Sequence, residues 1–200
     1  MSRTEIQSLY EEITQSVGKL NELLADAEPE EVKNHVFETE NGTVTLKDLF
    51  GNKDKLFVIH NMGEGCRYCT VWADGLNGFI GHLEDAMGVV LVSGDDPETQ
   101  RKFANSRGWR FKLASHRNSD YMAEHNVSAE YDNCPGASMY ERKDAKIFKK
   151  NNCVFGPGDI YCSLWHVLAL AGLNESNWTP QFRYWSPPER LSDGGKNVVD

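Results

Sequence analysis

Two cysteines separated by two residues, Cys66 and Cys69, follow closely on a strand-like run in the first half of the chain. The run is Leu56-Phe57-Val58-Ile59, which is apolar on both faces, as expected for a central strand in a covered sheet. A turn, Gly63-Glu64-Gly65, separates the run from the cysteines, and a helical pattern of apolar residues begins after them. A strand, a turn and a Cys-x-x-Cys motif at a helix start together predict an α/β unit with thiol–disulfide chemistry.

The position of the first cysteine favours its ionised form. The first turn of a helix leaves backbone N–H groups without partners, and the helix dipole places positive charge there. Both effects stabilise the thiolate of Cys66, which is the reactive state of cysteine. Arg67 and the thiol of Cys69 would act in the same direction, whereas the carboxylate of Glu64 would oppose them if it lay close. Cys69 lies about one turn inside the helix, where it would resolve a mixed disulfide.

Strand-like and helix-like segments alternate along most of the chain. A helix over about residues 4–26 carries one apolar stripe, which we expect to cover a face of the core. The turn signal Asn41-Gly42 predicts a hairpin before the central strand. The elements predicted after the cysteines are a motif helix to about residue 84, a strand at 88–93, a helix from Pro97 to Gly108, a strand at 109–113, a helix at 119–125, a hairpin at 136–150 and a helix capped by Asp159 and ending at Gly172.

This order predicts an α/β fold with a central mixed sheet flanked by helices and an extra N-terminal helix. Strands joined through helices run parallel, and the hairpin adds antiparallel strands at one side. We divide the 200 residues into an N-terminal amphipathic helix (1–30), one sheet-containing domain (31–173) and a tail (174–200). The tail is rich in Pro, Trp and Tyr, and we expect it to pack on the domain and to end in a disordered segment.

Charge and hydropathy exclude some classes of partner. The net charge of −9 argues against nucleic acid, whose partners usually carry a basic patch. No apolar run approaches ~18 residues and no signal-peptide core is present, so we expect no membrane partner and a cytoplasmic location. In that compartment the five cysteines are not expected to form a structural disulfide framework.

The order of elements, with Cys-x-x-Cys after the first central strand and Pro135 before a hairpin strand, resembles the thioredoxin fold. The segment Thr43–Gly51 resembles the one that leads into peroxiredoxin-type domains. A more specific resemblance is to a bacterial thioredoxin-like family known only as domain of unknown function 899, over roughly residues 30–185. The resemblance is carried by residues 65–74, which include a distinctive Trp-Ala-Asp, and by residues 108–111 and 134–140.

The resemblance implies a thioredoxin-like fold and thiol redox activity, but no known substrate. In thioredoxin-like proteins a cis-proline before the hairpin strand faces the cysteine pair, and Pro135 has the matching place, so we expect a cis Cys134–Pro135 bond. Cys134 would then lie near the pair, either as a third thiol or as a buried spectator. We expect Cys134 and Pro135 to form the substrate groove with Arg67 and Tyr68. Thioredoxins carry Gly-Pro between their cysteines, so neither substrate class nor redox potential transfers.

Three functions stay open at this point. The first is a thiol–disulfide oxidoreductase without a cofactor, with Cys66 as nucleophile and Cys69 as resolving thiol, acting on a disulfide-containing protein or a small-molecule thiol. The second is a peroxide-reducing enzyme, although Gly63 stands where the Thr-x-x-Cys signature of such enzymes has threonine. Peroxiredoxin-like relatives often pair, so a homodimer is an open expectation.

The third is a non-enzymatic module, stabilised by zinc or acting as a binding scaffold. A structural zinc site needs four ligands, and neither His60 nor His82 lies at a ligand-like spacing from the cysteines, so we predict no metal site. Other notable residues are interpreted as structural. These are His60, Trp72 and Phe79 in the core, Asp74 in a polar structural contact, and Cys153 and Cys162 as buried small residues.

Overall fold

The computed structural model describes residues 3–182 of the chain, which contain seven helices and eight strands. The helices are α1 (Arg3–Asp26), α2 (Leu46–Leu49), α3 (Arg67–Gly78), α4 (Ile80–Ala86), α5 (Pro97–Arg107), α6 (Tyr121–His125) and α7 (Ser163–Leu170). The strands are β1 (Glu30–Val32), β2 (Val36–Thr39), β3 (Gly42–Thr45), β4 (Lys55–His60), β5 (Gly88–Ser93), β6 (Lys112–Ser115), β7 (Gly136–Lys143) and β8 (Lys146–Val154).

All eight strands form one mixed sheet in the order β1-β8-β7-β4-β5-β6-β2-β3. Strands β4, β5 and β6 are parallel to one another. The hairpin β7–β8 adds antiparallel strands beside β4, and β2–β3 adds another antiparallel pair beside β6. The predicted mixed sheet is therefore confirmed. Strand β1, which pairs with β8, was not predicted, because three mostly polar residues show no alternation.

Successive residues of β4 point to opposite faces of the sheet, and each face has its own core. Leu56 and Val58 pack into a core that includes side chains of α2 and α6. Ile59 packs into the other core, which includes Trp72 and Ala73 of α3 together with a ring from α7 and the rings of the segment just before β6. The run that reads as apolar throughout is thus a strand covered on both sides.

Local signals fix several helix ends as predicted. The side chain of Asp96 caps α5 by accepting a hydrogen bond from the Thr99 N–H at 3.1 Å, and Pro97 is the first helical residue. Gly108 ends the same helix with a φ of 67°, in the left-handed region that glycine tolerates. The motif helix breaks after Gly78 into α3 and α4, which follows from its weakening by glycines.

Some expectations about packing are wrong. None of the residues of α1 is buried, so its apolar stripe does not cover the core; the helices named above already cover both faces of the sheet. Phe79 is 53% exposed at the break between α3 and α4 and is not a core residue. The last helix begins at Ser163 rather than after Asp159, whose carboxylate accepts hydrogen bonds from the N–H groups of Tyr161 and Cys162.

The first part of the tail lies against the domain. Trp178 contacts the ring of Trp165, and Phe182 contacts the ring of Phe103, with centroid distances of 5.8 and 6.3 Å. The predicted disordered end lies outside the described residues, and the proposed boundaries at residues 30 and 173 stay predictions. Among residues 3–182 there is no helix both long and apolar enough to cross a membrane.

Gly136, the first residue of β7, offers a test of how closely β7 and β8 approach each other. A Cβ atom there would lie 2.2 Å from the carbonyl oxygen of Cys153 and 2.7 Å from Val127. We expect Gly136→Ala to lower the free energy of unfolding by about 1–3 kcal/mol or more, because backbone must move to admit the methyl group. Urea unfolding measures the change.

The matched control is Gly75→Ala in the middle of α3, where an added Cβ meets no atom within 4 Å. This change should raise the free energy of unfolding by about 0.5–1 kcal/mol through the higher helix propensity of alanine. Equal stabilities for the two variants would show that the β7–β8 approach is looser than the structure indicates.

Candidate active site at the start of helix α3

The cysteine loop leaves the sheet where the parallel strands β4 and β5 end. The N–H of Asn61 still bonds to the carbonyl of Val92 at 2.9 Å, which extends the ladder by one residue. The Asn61 side chain then accepts a hydrogen bond from the N–H of Gly63 at 2.8 Å, and the carbonyl of Gly63 accepts one from the N–H of Cys66 at 3.1 Å. These bonds turn the chain and place Cys66 at the N-cap position, immediately before α3.

Asp95, on the loop after β5, fixes the other side of this turn. Its carboxylate accepts a hydrogen bond from the N–H of Glu64 at 2.8 Å. Gly63 has a φ of 114°, and a Cβ on it would lie 2.8 Å from a carboxylate oxygen of Asp95, so only glycine fits. Sequence analysis missed Asp95. Its signal is a polar residue just after a buried parallel strand, at the edge where the cysteine loop also lies.

Cys66 is the N-cap residue of α3. Its sulfur accepts a hydrogen bond from the backbone N–H of Cys69 at 3.1 Å, in the manner of a capping oxygen. Cys66 is half-buried and reaches the surface, whereas Cys69 is only 4% exposed. Both are free thiols, and Cys66 is the one that a molecule in solution can reach.

These contacts separate the two pKa values. The hydrogen bond from the Cys69 thiol, followed by the backbone N–H groups of Cys69 and Tyr68, lowers the pKa of Cys66 to about 6 against an opposing effect of burial. The same hydrogen bond and burial raise the pKa of Cys69. At neutral pH Cys66 is a thiolate and Cys69 is protonated. Arg67 and Glu64, whose side chains are exposed, are not among the chief causes of this shift.

The residues between the cysteines face different surroundings. Arg67 is exposed. Tyr68 is half-buried, and its ring stacks on that of Trp165 in α7, with centroids 6.2 Å apart and planes 18° apart. Arg67 is thus free to contact a molecule that approaches Cys66, and Tyr68 forms part of the wall beneath it.

Pro135 lies at the same edge of the sheet as the cysteine loop. Gly136 pairs with His60, the last residue of β4, so the residue before it is beyond the end of that strand. The carbonyl of Pro135 accepts a hydrogen bond from the N–H of Phe155 at 2.9 Å. The pairing register thus brings the proline-containing segment beside the start of the cysteine loop, and the cis form of its peptide bond stays a prediction.

The thiol of Cys134 is buried and turned toward its own loop. It donates to the carbonyl oxygen of Pro135 at 3.7 Å, and the backbone N–H of Cys134 bonds to the side chain of Asn126 at 3.0 Å. Burial, and then the charge of Glu130, raise the pKa of this thiol, whereas a hydrogen bond with Ser128 lowers it. Cys134 is therefore protonated at neutral pH, and its role as a third thiol stays a prediction.

A wall of rings supports α3 from behind. Trp72 is buried, stacks on Phe155 with an interplanar angle of 11°, and donates through Nε1 to Asp159 at 2.8 Å. Asp74 forms an ion pair with Arg107 and accepts from the indole N–H of Trp109 at 2.8 Å. The structural interpretations of Trp72 and Asp74 are confirmed. Beside this wall lies an open cavity of about 440 Å³, whose lining includes Val71, Phe79, Tyr161 and Trp178.

His60 lies on the other face of β4 from this wall. It is buried, and burial lowers its pKa to about 3, so it is neutral at physiological pH. Its Nε2 is 2.9 Å from the hydroxyl of Tyr121, which supports the interpretation of His60 as a core histidine. Within residues 3–182, no third histidine, cysteine or carboxylate ligand completes a metal site with Cys66 and Cys69.

Comparison with known proteins adds the family and the fold. The model of a family described as "Bacterial protein of unknown function (DUF899)" matches residues 23–185. The structure of AhpC from Enterococcus faecalis is 11% identical, with a TM-score of 0.52 over 72% of this chain and 91% of that chain. A yeast mitochondrial 1-Cys peroxiredoxin is 12% identical, with a TM-score of 0.51 over 83% of this chain and 89% of that chain. No curated protein matches.

At such low identity the structural similarity establishes the fold alone. The architecture is that of thioredoxin-fold peroxiredoxins: a mixed sheet flanked by helices, here with an N-terminal helix in front. The predicted fold class is thus confirmed. Because the family model matches most of the chain, from residue 23 to residue 185, this chain is a member of the DUF899 family.

Proposed function

We propose that this protein is a thiol–disulfide oxidoreductase that uses Cys66 as nucleophile and Cys69 as resolving thiol. One observation carries the proposal: a sulfur that reaches the surface at a helix start accepts a hydrogen bond from the backbone N–H of Cys69, and the Cys69 thiol lowers its pKa. A thiolate at neutral pH with a protonated thiol in direct contact is the arrangement that thiol–disulfide exchange requires.

The exchange proceeds in two attacks. The thiolate of Cys66 bonds to one sulfur of a substrate disulfide, the substrate S–S bond breaks, and the other substrate sulfur leaves as a thiolate. Formation of this bond removes the negative charge from Cys66, and with it the hydrogen bond that chiefly raises the pKa of Cys69. The proton of Cys69 then passes to the departed thiolate.

The sulfur of Cys69 attacks Cys66 in the second step, and the remaining substrate sulfur leaves and takes a proton from solvent. The substrate disulfide has gained two electrons, and a Cys66–Cys69 disulfide remains in the protein. A dithiol reductant then returns this disulfide to the starting state. Arg67, Tyr68, Cys134 and Pro135 form the proposed substrate groove, because they flank the cysteine loop in sequence or at the sheet edge.

Peroxide reduction is the second candidate, since the fold is shared with AhpC and a 1-Cys peroxiredoxin and an accessible thiolate is present. In that reaction the thiolate of Cys66 attacks one oxygen of the peroxide, the O–O bond breaks and the other oxygen leaves as water or an alcohol after it takes a proton. Cys66 becomes a sulfenic acid, which Cys69 converts to a disulfide with loss of water. At position 63 the chain has glycine and so lacks the threonine hydroxyl of the Thr-x-x-Cys signature. Asp95 fills the space where a threonine side chain would stand, and the backbone there suits only glycine.

The ionisation of Cys66 gives a first test. Alkylation by iodoacetamide, followed by mass spectrometry of the peptide that contains Cys66, should be near its plateau at pH 7.5 and should fall as the pH drops through about 6. The Cys69→Ala variant lacks the hydrogen bond that contributes most, so its profile should move toward the ordinary thiol value of 9.0. Cys162→Ser, which alters a buried thiol away from this bond, should leave the profile in place. A wild-type midpoint near that of a free thiol would contradict the proposed thiolate.

The two attacks give a second test. With dithiothreitol as reductant and oxidised glutathione as substrate, Cys66→Ser should reduce the disulfide no faster than reductant alone, since the nucleophile is gone. Incubated with oxidised glutathione in the absence of dithiothreitol, Cys69→Ser should instead accumulate a mixed disulfide between Cys66 and glutathione, seen as an added glutathione mass that later addition of dithiothreitol removes. Cys153→Ser is the control and should retain wild-type turnover. Turnover by Cys66→Ser at the wild-type rate would overturn the assignment.

The rival reaction is tested with hydrogen peroxide and the reduced wild-type protein. We expect loss of the Cys66 thiolate at the slow rate of an ordinary thiolate of equal ionisation, because position 63 contributes no hydroxyl. The measurement is a stopped-flow decay of free thiol, with the Cys66→Ser variant as blank. Consumption faster by orders of magnitude would make peroxide reduction the function of this site.

A further inference from the structure

A cluster of histidine and carboxylate side chains lies apart from the cysteines, on the face of the sheet opposite α3. His35, between β1 and β2, has a side chain only 1% exposed, and His125 at the end of α6 is also buried. Both rings pack edge-on or tilted against Tyr121, a member of the core that contains Leu56 and Val58 of β4. Glu124, beside His125 in sequence, completes the cluster with a side chain 34% exposed.

The donor atoms already stand at the separations a metal ion needs. The Nε2 atoms of His35 and His125 are 3.0 Å apart, and the Nε2 of His35 is 3.5 Å from a carboxylate oxygen of Glu124. One donor atom from each of the three residues lies within 4.8 Å of the others. A tetrahedral ion bound at about 2.0–2.1 Å places its donors about 3.3 Å apart, so small adjustments would seat it.

Asp120 prepares His35 for this role. Its Oδ1 lies 2.8 Å from the Nδ1 of His35. A carboxylate can only accept a hydrogen bond, so Nδ1 of His35 carries the proton. The Nε2 of His35 then faces the cluster, which is the carboxylate–histidine–metal arrangement found around bound metal ions.

The short contact between the two imidazoles also fits an ion. Two Nε2 atoms at 3.0 Å are held together only if one of them carries a proton directed at the other. A divalent ion could bind both nitrogens once that proton moves to Nδ1 of His125, a buried atom that has no hydrogen-bond partner among the described residues.

We propose that His35, Glu124 and His125 bind a divalent transition-metal ion of the class that prefers imidazole, with Asp120 as the residue that orients His35. Two imidazoles and one carboxylate suit zinc and its first-row neighbours better than magnesium or calcium. Three protein ligands leave the fourth coordination position of a tetrahedral ion open. This position can be reached from solvent because Glu124 is partly exposed. The ion would tie the connection between β1 and β2 to the short helix α6.

Lys33 is the competing cation at this site. Its ammonium pairs with one carboxylate oxygen of Glu124 and lies 3.7 Å from Asp120. The other oxygen of Glu124 faces His35 and stays available to an ion. The alternative to a metal site is a closed network in which Lys33 and the shared proton satisfy every charge. Removal of the Lys33 ammonium distinguishes the metal site from the closed network. A metal site would then bind its ion more tightly, because a competing cation is gone, whereas a closed network binds no ion.

Zinc binding is measured by titration calorimetry on the full chain with Cys66→Ser and Cys69→Ser, so that the proposed thiol site cannot take the ion. We expect one ion per chain and a raised midpoint of thermal unfolding. In this background Asp120→Asn should weaken binding by about 10–100-fold, the usual effect of losing a residue that orients a ligand. Glu124→Gln should weaken it at least as much, and Lys33→Met should strengthen it.

Controls separate the site from general effects. Glu12→Gln, on the exposed surface of α1, should leave zinc affinity unchanged. Thermal unfolding without metal identifies any variant that has lost its fold. Cobalt bound in the same background should show no thiolate-to-cobalt charge-transfer band. Absence of zinc binding by the folded protein, affinity insensitive to both carboxylate variants, or a thiolate band would each overturn the proposal.

Discussion

Strand β4 is paired along both of its edges, and this double pairing decides where the chemistry of the chain is placed. Its parallel partner β5 ends at the same edge of the sheet, so Asp95 lies beside the cysteine loop and holds its turn. Its antiparallel partner β7 begins at that edge, so Pro135 arrives there as well. A slip of one residue in the β4 register would exchange the faces of Ile59 and His60 and would move the loop out of line with both partners.

The two faces of β4 carry different chemistry. The face beneath α3 is closed by rings, and of its two cysteines Cys66 reaches solvent whereas Cys69 is buried. The opposite face holds a buried chain of polar groups, in which Tyr121 bonds to His60 at 2.9 Å and to Tyr140 at 2.9 Å. Burial lowers the pKa of His60 to about 3 and raises that of Tyr140 to about 12, so both are neutral across physiological pH. These polar groups therefore have a structural role, and one of them, Tyr121, is the ring against which His35 and His125 pack.

The parts of this arrangement that the sequence predicts are those with local causes. Apolar runs identify β4 and β5, and Asp96, Pro97 and Gly108 mark the ends of α5. The sulfur that caps α3 is predictable too, since Cys69 stands three residues after Cys66, at the position whose N–H a capping side chain reaches. The mixed sheet and its flanking helices follow from the order of the elements.

The parts that the sequence does not predict depend on contacts between distant segments. Periodicity shows that α1 has an apolar face, but not that other helices already cover the sheet. His35 and His125 are 90 positions apart, so no ligand spacing announces their 3.0 Å contact. Asp95 becomes recognisable only when β4 and β5 are known to be parallel neighbours.

One hydrogen bond between two thiols imposes an order on the proposed chemistry. While Cys66 is ionised, its charge holds the proton on Cys69, so the pair has one nucleophile at a time. A bond formed to the exposed sulfur cancels that charge and, with it, the main reason for the covered sulfur to stay protonated. The sulfur of Cys69 can then lose its proton while the electrophilic sulfur of Cys66 lies next to it. In the proposed reaction, the spacing of the motif on its helix would thus supply both the first attack and the condition that starts the second.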